Sequence, residues 1–307
     1  MRKLFFLLLF SPLFAPAQEY VDLLRIGYGK TFNNDFEGTD SSTYVKSFEA
    51  DLTIPFVLNE NHALITGLSF SRNNLQLFPN DEFTSLYSTA FKIGLASTLD
   101  ERWSTTIVLL PKIASDYENI SSDDFYFGGF ALLKLQKKEN LTYRFGAYAS
   151  QEAFGIFATP IIGWYYLSED NRFEMDMSLP IVADINYCLG ITTIGLDYVG
   201  IGRSFNITKE AASPLYADLS SLEFSGYLQF NVLRKSVLLR AKLGYSSNNF
   251  EMYRQGEEID LGLSAFSFGD DRTQLNPSLN GGIFLKFEAI YRFHLTKEKE
   301  AVDTPAK

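Results

Sequence analysis

The chain has 307 residues and a net charge of −10, with 37 acidic residues against 27 basic ones. This acidity argues against a nucleic-acid partner, because phosphate contacts need clustered lysine and arginine. One cysteine and two histidines argue against a disulfide framework or a metal cluster, and 46% hydrophobic residues argue against a disordered chain.

The N-terminus has the pattern of an export signal. Two basic residues, Arg2 and Lys3, precede an apolar run, and a small-residue cleavage motif ends at Ala17. The apolar run is too short for a spanning helix, which needs about 20 residues. We therefore predict a signal peptide over residues 1–17, with Gln18 as the first mature residue. A retained N-terminal anchor is the alternative.

After the leader, apolar and polar residues alternate with a period of two. Such alternation is the signature of a β-strand with one apolar and one polar face. The alternating segments are longer than globular strands, which usually have about 5–6 residues, and match membrane strands, which need about 9–11. The clearest examples are residues 44–58, 173–185, 222–232, 237–245 and 283–295.

Short polar turns alternate along the chain with longer loops, as in outer-membrane barrels. The longer loops hold fifteen acidic residues against two basic ones, and lie at residues 33–42, 73–83, 115–124 and 247–280. We predict one all-β domain over residues 18–295, a single antiparallel transmembrane-type barrel, followed by a polar tail at 296–307. The turns should be periplasmic, and the acidic loops should form the outer rim.

The number of strands depends on residues 172–233. These residues hold either two strands with a large outer loop, which gives about 12 strands and is preferred, or four strands, which gives 14. The second arrangement places a hairpin near Leu179-Pro180. Proline at a hairpin corner favours it, because proline cannot donate to a central ladder.

Charged residues of both signs lie on the polar faces of the predicted strands. Unpaired burial of so many charges would be unfavourable in a soluble barrel, whereas a membrane barrel turns its polar face to the lumen. Two interiors remain open: a largely plugged one with salt-bridge ladders, or a narrow hydrated channel. The predicted lumen charges are Glu49, Asp51, Arg144, Glu174, Asp176, Glu223, Arg240, Lys242, Lys286, Glu288 and Arg292.

Catalysis finds little support in the sequence. A hydrolase needs a histidine within hydrogen-bond reach of its nucleophile, yet His62 falls in a predicted turn, while Ser69 and Ser71 lie further along a strand. We expect no enzymatic activity and no cofactor. Acidic pairs beginning at Asp123 and Asp270 offer oxygen ligands to divalent cations, but no EF-hand or repeat spacing is present, so solvated loop charge is the stronger interpretation.

A resemblance to a known family covers most of the chain and rests on two sequence features. One is the segment Leu52-Thr-Ile-Pro-Phe56, which leads through a polar turn to Ala63-Leu-Ile-Thr-Gly-Leu68. The other is Leu179-Pro180 before Tyr187. The chain resembles uncharacterised outer-membrane β-barrel proteins of Gram-negative bacteria, grouped as domain of unknown function 6268. The resemblance implies a barrel in outer-membrane lipid, inserted by the barrel-assembly machinery, and implies no catalytic residues.

The C-terminus departs from many such barrels, which end on an aromatic residue. Here Phe293 is followed by His294-Leu295 and the polar tail. The pattern Asn-x-Gly-x-x-Leu-x-Phe over residues 280–287 looks like an internal insertion signal.

The sequence therefore predicts an outer-membrane barrel with a structural, binding or small-solute transport role. Two alternatives stay open. One is a soluble exported β-protein that binds a ligand or surface, and the other is a barrel enzyme that acts on lipid.

Overall fold

The computed structural model describes residues 20–208 and 214–294, and almost all of its regular structure is β-strand. The predicted signal peptide, its cleavage site and the polar tail lie outside these residues. No helix within the described ranges is long and apolar enough to cross a membrane.

Fourteen antiparallel strands form a closed barrel in which neighbours follow chain order. The strands are β1 (Tyr20–Phe32), β2 (Lys46–Asn59), β3 (His62–Leu75), β4 (Thr84–Thr98), β5 (Trp103–Ser115), β6 (Phe125–Lys138), β7 (Leu141–Glu152), β8 (Gly155–Leu167), β9 (Phe173–Leu179), β10 (Val182–Cys188), β11 (Thr192–Ile207), β12 (Leu215–Val232), β13 (Val237–Ser246) and β14 (Gly282–His294).

The first and last strands close the ring. In β1, Tyr28 is opposite Phe48 of β2 on one side and Phe287 of β14 on the other. Closure removes the unpaired backbone edges that an open sheet would present. The strand number is therefore 14, the higher of the two that the sequence permits, and the Leu179-Pro180 hairpin between β9 and β10 supplies the additional pair.

The two ends of the barrel differ in their connections, as the alternation of turns and loops predicts. Both termini of the described chain, Tyr20 and His294, pair at one end together with the short turns, and we call this the turn end. The opposite end, called the loop end, carries all the long loops. Two further connections at the loop end are short, at residues 153–154 and 180–181.

Side chains along each strand alternate between an apolar outer surface and a polar interior. In β14, Phe287 is 56% exposed and Ile283 is 59% exposed, whereas Lys286 and Glu288 are buried. This arrangement is the reverse of a water-soluble barrel and matches a barrel embedded in lipid.

At the loop end, parts of two strands leave this alternating pattern. Phe205, Asn206 and Ile207 of β11 are consecutive, yet all are at most 2% exposed, so both faces of the strand are covered. Residues 201–207 of β11 and 215–221 of β12 pair with each other, and 215–220 of β12 also pair with a short strand, Asn249–Arg254. We call these three segments the plug sheet.

The plug sheet crosses the interior of the barrel. Asn206 of β11 bridges to Ser115 of β5, a strand six places away around the ring. An apolar core fills the space between the sheet and the wall, and includes Leu75, Leu86, Phe205 and Met252. The main apolar core of the described chain therefore lies inside the loop end.

Strands β9 and β10 have only seven residues each, so the barrel wall is lower at this hairpin. Above it, a strand of the last long loop, Leu261–Leu263, pairs in parallel with Phe157 and Ala158 of β8. The loop thereby covers backbone groups of β8 that the short hairpin does not reach.

Gly163 of β8 permits close approach of β9. A Cβ atom there would lie 1.9 Å from the carbonyl oxygen of Met177, whereas one at Gly226 of β12 would lie 3.6 Å from its nearest neighbour. We expect Gly163→Ala to lower the free energy of unfolding by about 1–3 kcal/mol through overpacking.

The measurement is the temperature at which the folded, fast-migrating form is lost in gel electrophoresis. Gly226→Ala is the matched control and should behave like the natural chain. Equal transition temperatures for all three chains would contradict close packing at Gly163.

Candidate functional site in the barrel lumen

The interior narrows from the turn end towards the loop end. A cavity of about 810 Å³, which we call the vestibule, is lined at the turn end by residues that include Tyr20, Lys235 and His294. The next cavity, of about 450 Å³, shares Asp22 and Lys242 with it. A third cavity, of about 30 Å³, lies beneath the plug sheet.

Five charged side chains form a cluster in the middle of the lumen: Asp184, Asp197, Arg240, Lys242 and Glu288. Lys242 Nζ lies 2.5 Å from Asp197 Oδ2 and 3.0 Å from Glu288 Oε1. Arg240 Nη1 lies 3.1 Å from Asp184 Oδ2. These contacts join strands β10, β11, β13 and β14, so the cluster links a quarter-turn of the wall through its side chains. We call it the central charge cluster.

Arg240 is held in place by neutral groups as well. Its Nε and Nη2 atoms donate to Gln229 Oε1 at 3.0 and 2.8 Å, and its guanidinium lies 3.9 Å from the ring centroid of Tyr227. The cation–π contact and the hydrogen bonds fix the planar guanidinium group of Arg240 more tightly than an ion pair alone would.

All eleven predicted lumen charges face the interior and contact a polar partner. Arg240, Lys242 and Glu288 belong to the central charge cluster, while Lys286 lies 2.7 Å from Glu49 and 3.9 Å from Glu223. The remaining pairs lie apart from the cluster. They are Asp51 with Lys92, Arg144 with Asp176, Arg292 with Asp22, and Glu174 with the Tyr20 hydroxyl.

Several partner residues are not among the predicted set. Asp197 stands between Leu196 and Tyr198 on β11, and Lys92 stands between Phe91 and Ile93 on β4. Leu196, Phe91 and Ile93 are more than half exposed on the outer surface, so the same period of two would have assigned both charges to the lumen. Asp184 has the same parity as Glu174 and Asp176 within the alternating segment 173–185, so that segment also assigns it to the polar face.

Polar contacts tie the plug sheet to the wall. The backbone N–H and hydroxyl of Ser204 donate to Glu152 Oε2 at 2.9 and 3.0 Å, and Glu152 is ion-paired with Lys112 of β5. Asn206 Nδ2 donates to Asp124 Oδ1 at 2.7 Å. The Glu152–Lys112 pair is buried, so removing either partner would leave an uncompensated charge.

The charge of the lumen changes along its axis. Eight basic and five acidic side chains line the vestibule, whereas five of each sign line the middle cavity. The vestibule is therefore cationic within a chain that is strongly acidic overall.

The acidic loops contain internal contacts. Arg272 Nε lies 2.9 Å from Asp270 Oδ1, and hydrogen bonds from Arg272 lower the pKa of Asp270. Asp124 accepts a hydrogen bond from Asn206 of the plug sheet. Within the described ranges, no three His, Cys, Asp or Glu side chains are grouped to hold a metal ion. Divalent-cation binding by the outer loops stays a prediction.

His62 contacts a serine, but this serine is neither Ser69 nor Ser71, the two considered from the sequence. Its Nδ1 atom lies 2.9 Å from Ser97 Oγ of the neighbouring strand. In the part of the chain that the structure describes, no carboxylate hydrogen-bonds the imidazole, so the orienting third group of a catalytic triad is not in place.

A family model described as "Domain of unknown function (DUF6268)" matches residues 14–247 of the chain. The chain belongs to this family. Its matched region includes the residues of the vestibule on β1 and β6–β13 and the whole plug sheet except its last strand. No curated protein matches the chain.

Several solved structures are similar in architecture. NanC porin is 11% identical with a TM-score of 0.32, covering 87% of this chain and 98% of that one. OccK7 (OpdD) of Pseudomonas aeruginosa is 10% identical with a TM-score of 0.31, covering 89% and 98%. A deltaS2S3 mutant of the TodX monoaromatic hydrocarbon channel is 10% identical with a TM-score of 0.36, covering 89% and 91%. Identities this low show the barrel fold alone.

The central charge cluster predicts a measurable stability difference. We expect Asp197→Asn to lower the free energy of unfolding by about 3 kcal/mol, because Lys242 and Arg240 lose a buried counter-charge. Denaturant unfolding in detergent micelles measures this loss.

Asp170→Asn is the control, because its pair with Arg172 is exposed at 4.0 Å and such pairs contribute at most about 1 kcal/mol. A small and equal loss in both variants would show that water screens the central cluster, as in a narrow hydrated channel.

Proposed function

We propose that the mature chain, released from its signal peptide, is inserted in the outer membrane with the turn end facing the periplasm. The outer surface supports this placement, since large apolar side chains such as Phe91, Ile107 and Phe287 are more than half exposed around the ring. A contiguous apolar surface of this kind is unfavourable in water. It therefore favours the membrane barrel over a soluble exported protein.

We further propose that the barrel is closed in its resting state and binds a small polar solute in the vestibule. The observation that carries this proposal is the plug sheet, in which residues 204–207 of β11 are all buried and which packs against an apolar core inside the loop end. Hydrophobic constrictions close pores by excluding water. Here Phe205, Leu219 and Phe250 of the plug sheet are at most 3% exposed, so apolar side chains interrupt the polar lining at the loop end.

A gated transporter is the second candidate function. The specific observation in its favour is that the plug sheet is held partly by polar contacts, such as Ser204 with Glu152, which a rearrangement can exchange for water. We infer a non-enzymatic role in either case, because no carboxylate of residues 20–208 or 214–294 orients the His62–Ser97 pair.

The closed state is tested by conductance in planar lipid bilayers. The natural chain should show no steady conductance. Replacing residues 203–219 with Asn-Gly removes most of the plug sheet and leaves Gly202 and Ser220, which are register partners, beside a two-residue hairpin turn. This shortened chain should conduct steadily.

Phe266→Ser serves as control, because Phe266 is exposed on the last long loop and outside the plug sheet. Heat-modifiable gel mobility confirms that each chain is folded before recording. A large steady conductance from the natural chain would overturn the closed barrel.

A further inference from the structure

Two basic residues lie directly opposite each other in the vestibule wall. Lys134 of β6 and Arg144 of β7 are register partners. Their neighbours Leu133 and Phe145 are exposed on the outer surface, so both cations point into the lumen. Like charges directly opposite on neighbouring strands destabilise a sheet unless something compensates them.

The protein compensates only one of the two charges. Arg144 is ion-paired with Asp176 through Nη1, and the same atom lies 3.3 Å from Ser178 Oγ. The charged groups that face Lys134 are Arg144 and Asp176, and Lys134 makes no ion pair or hydrogen bond within the described ranges. The group of three therefore carries one excess positive charge.

The hydrogen-bond donors are also incompletely used. Arg144 is only 9% exposed, and its Nε atom is buried with no hydrogen-bond partner. Buried donors without partners are rare in native proteins, because each forfeits its hydration. Arg144 Nε and Lys134 Nζ are thus two N–H groups on adjacent strands that lack an acceptor.

Space is available where an acceptor would sit. Both cations line the vestibule of about 810 Å³, where basic side chains outnumber acidic ones. A small molecule can reach this position from the turn end.

We propose that Lys134 and Arg144 bind a small, water-borne oxyanion, with a carboxylate or phosphate oxygen between Arg144 Nε and Lys134 Nζ. Charge-assisted hydrogen bonds of this type are short and strong. A lipid headgroup is not the ligand, because the site faces the lumen. The inference rests on the proposed function in one respect, that the vestibule opens to water at the turn end.

The test is calorimetric titration of the full-length mature barrel in zwitterionic detergent, with sodium acetate and inorganic phosphate as probes at constant ionic strength. The natural chain should bind at least one probe. Lys134→Met should weaken binding about tenfold or more, since hydrogen bonds to charged groups contribute about 1.5–3 kcal/mol. Lys134→Arg should restore it, and Lys137→Met, at an exposed lysine of β6 that does not line the vestibule, should leave it unchanged.

A second measurement follows binding in the natural chain, and a variant is needed only to assign the signal. Lysines are reductively methylated with ¹³C, and the Lys134 resonance, identified by its loss in Lys134→Arg, should move on adding the bound probe. Without anion, Lys134→Met should unfold at a higher temperature than the natural chain, because the cross-strand repulsion is gone.

Absence of binding of both probes by the natural chain would overturn the proposal, as would equal binding by Lys134→Met. Neither result depends on conductance. A barrel that conducts yet binds acetate at Lys134 refutes the closed state alone, whereas a silent barrel that binds neither probe refutes the anion site alone.

Discussion

The whole molecule depends on the requirement that backbone N–H and C=O groups in lipid be paired with each other. A sheet meets this requirement only by closing, and here β1 closes it against β14. Closure then fixes every side chain to one of two environments, lipid or lumen. Apolar residues such as Phe287 occupy the first, and charged neighbours such as Glu288 must be accommodated in the second.

The lumen accommodates these charges by pairing them across strands. The central charge cluster connects β10 and β11 with β13 and β14. Its ion pairs therefore hold these strands together across the lumen as well as compensating the charges that face it. At the loop end apolar packing around Phe205 and Met252 is added to such polar contacts, because the plug sheet fills the interior there. The interior therefore changes along the axis from a charged lumen to an apolar core.

Sequence alternation predicted most of the wall, because a strand between lipid and water repeats its environment every second residue. It assigned Glu49, Lys286 and Glu288 to the lumen for that reason. It could not predict the plug sheet, since residues 204–207 and 216–217 are buried in succession and show no inward–outward alternation. It also could not show that Lys134 lacks a counter-charge, because cross-strand register and the position of Asp176 are properties of the closed ring.

The axis of the barrel is electrically asymmetric, and this asymmetry links the plug to the vestibule. The long loops are acidic, whereas the vestibule at the opposite end is cationic. In the proposed closed state, a small anion would be repelled by the acidic loop end and excluded by the plug sheet, and it would be attracted at the turn end by Lys134 and Arg144. Steric closure and charge therefore favour the same route. In the proposed orientation, solutes would enter the vestibule from the periplasmic side.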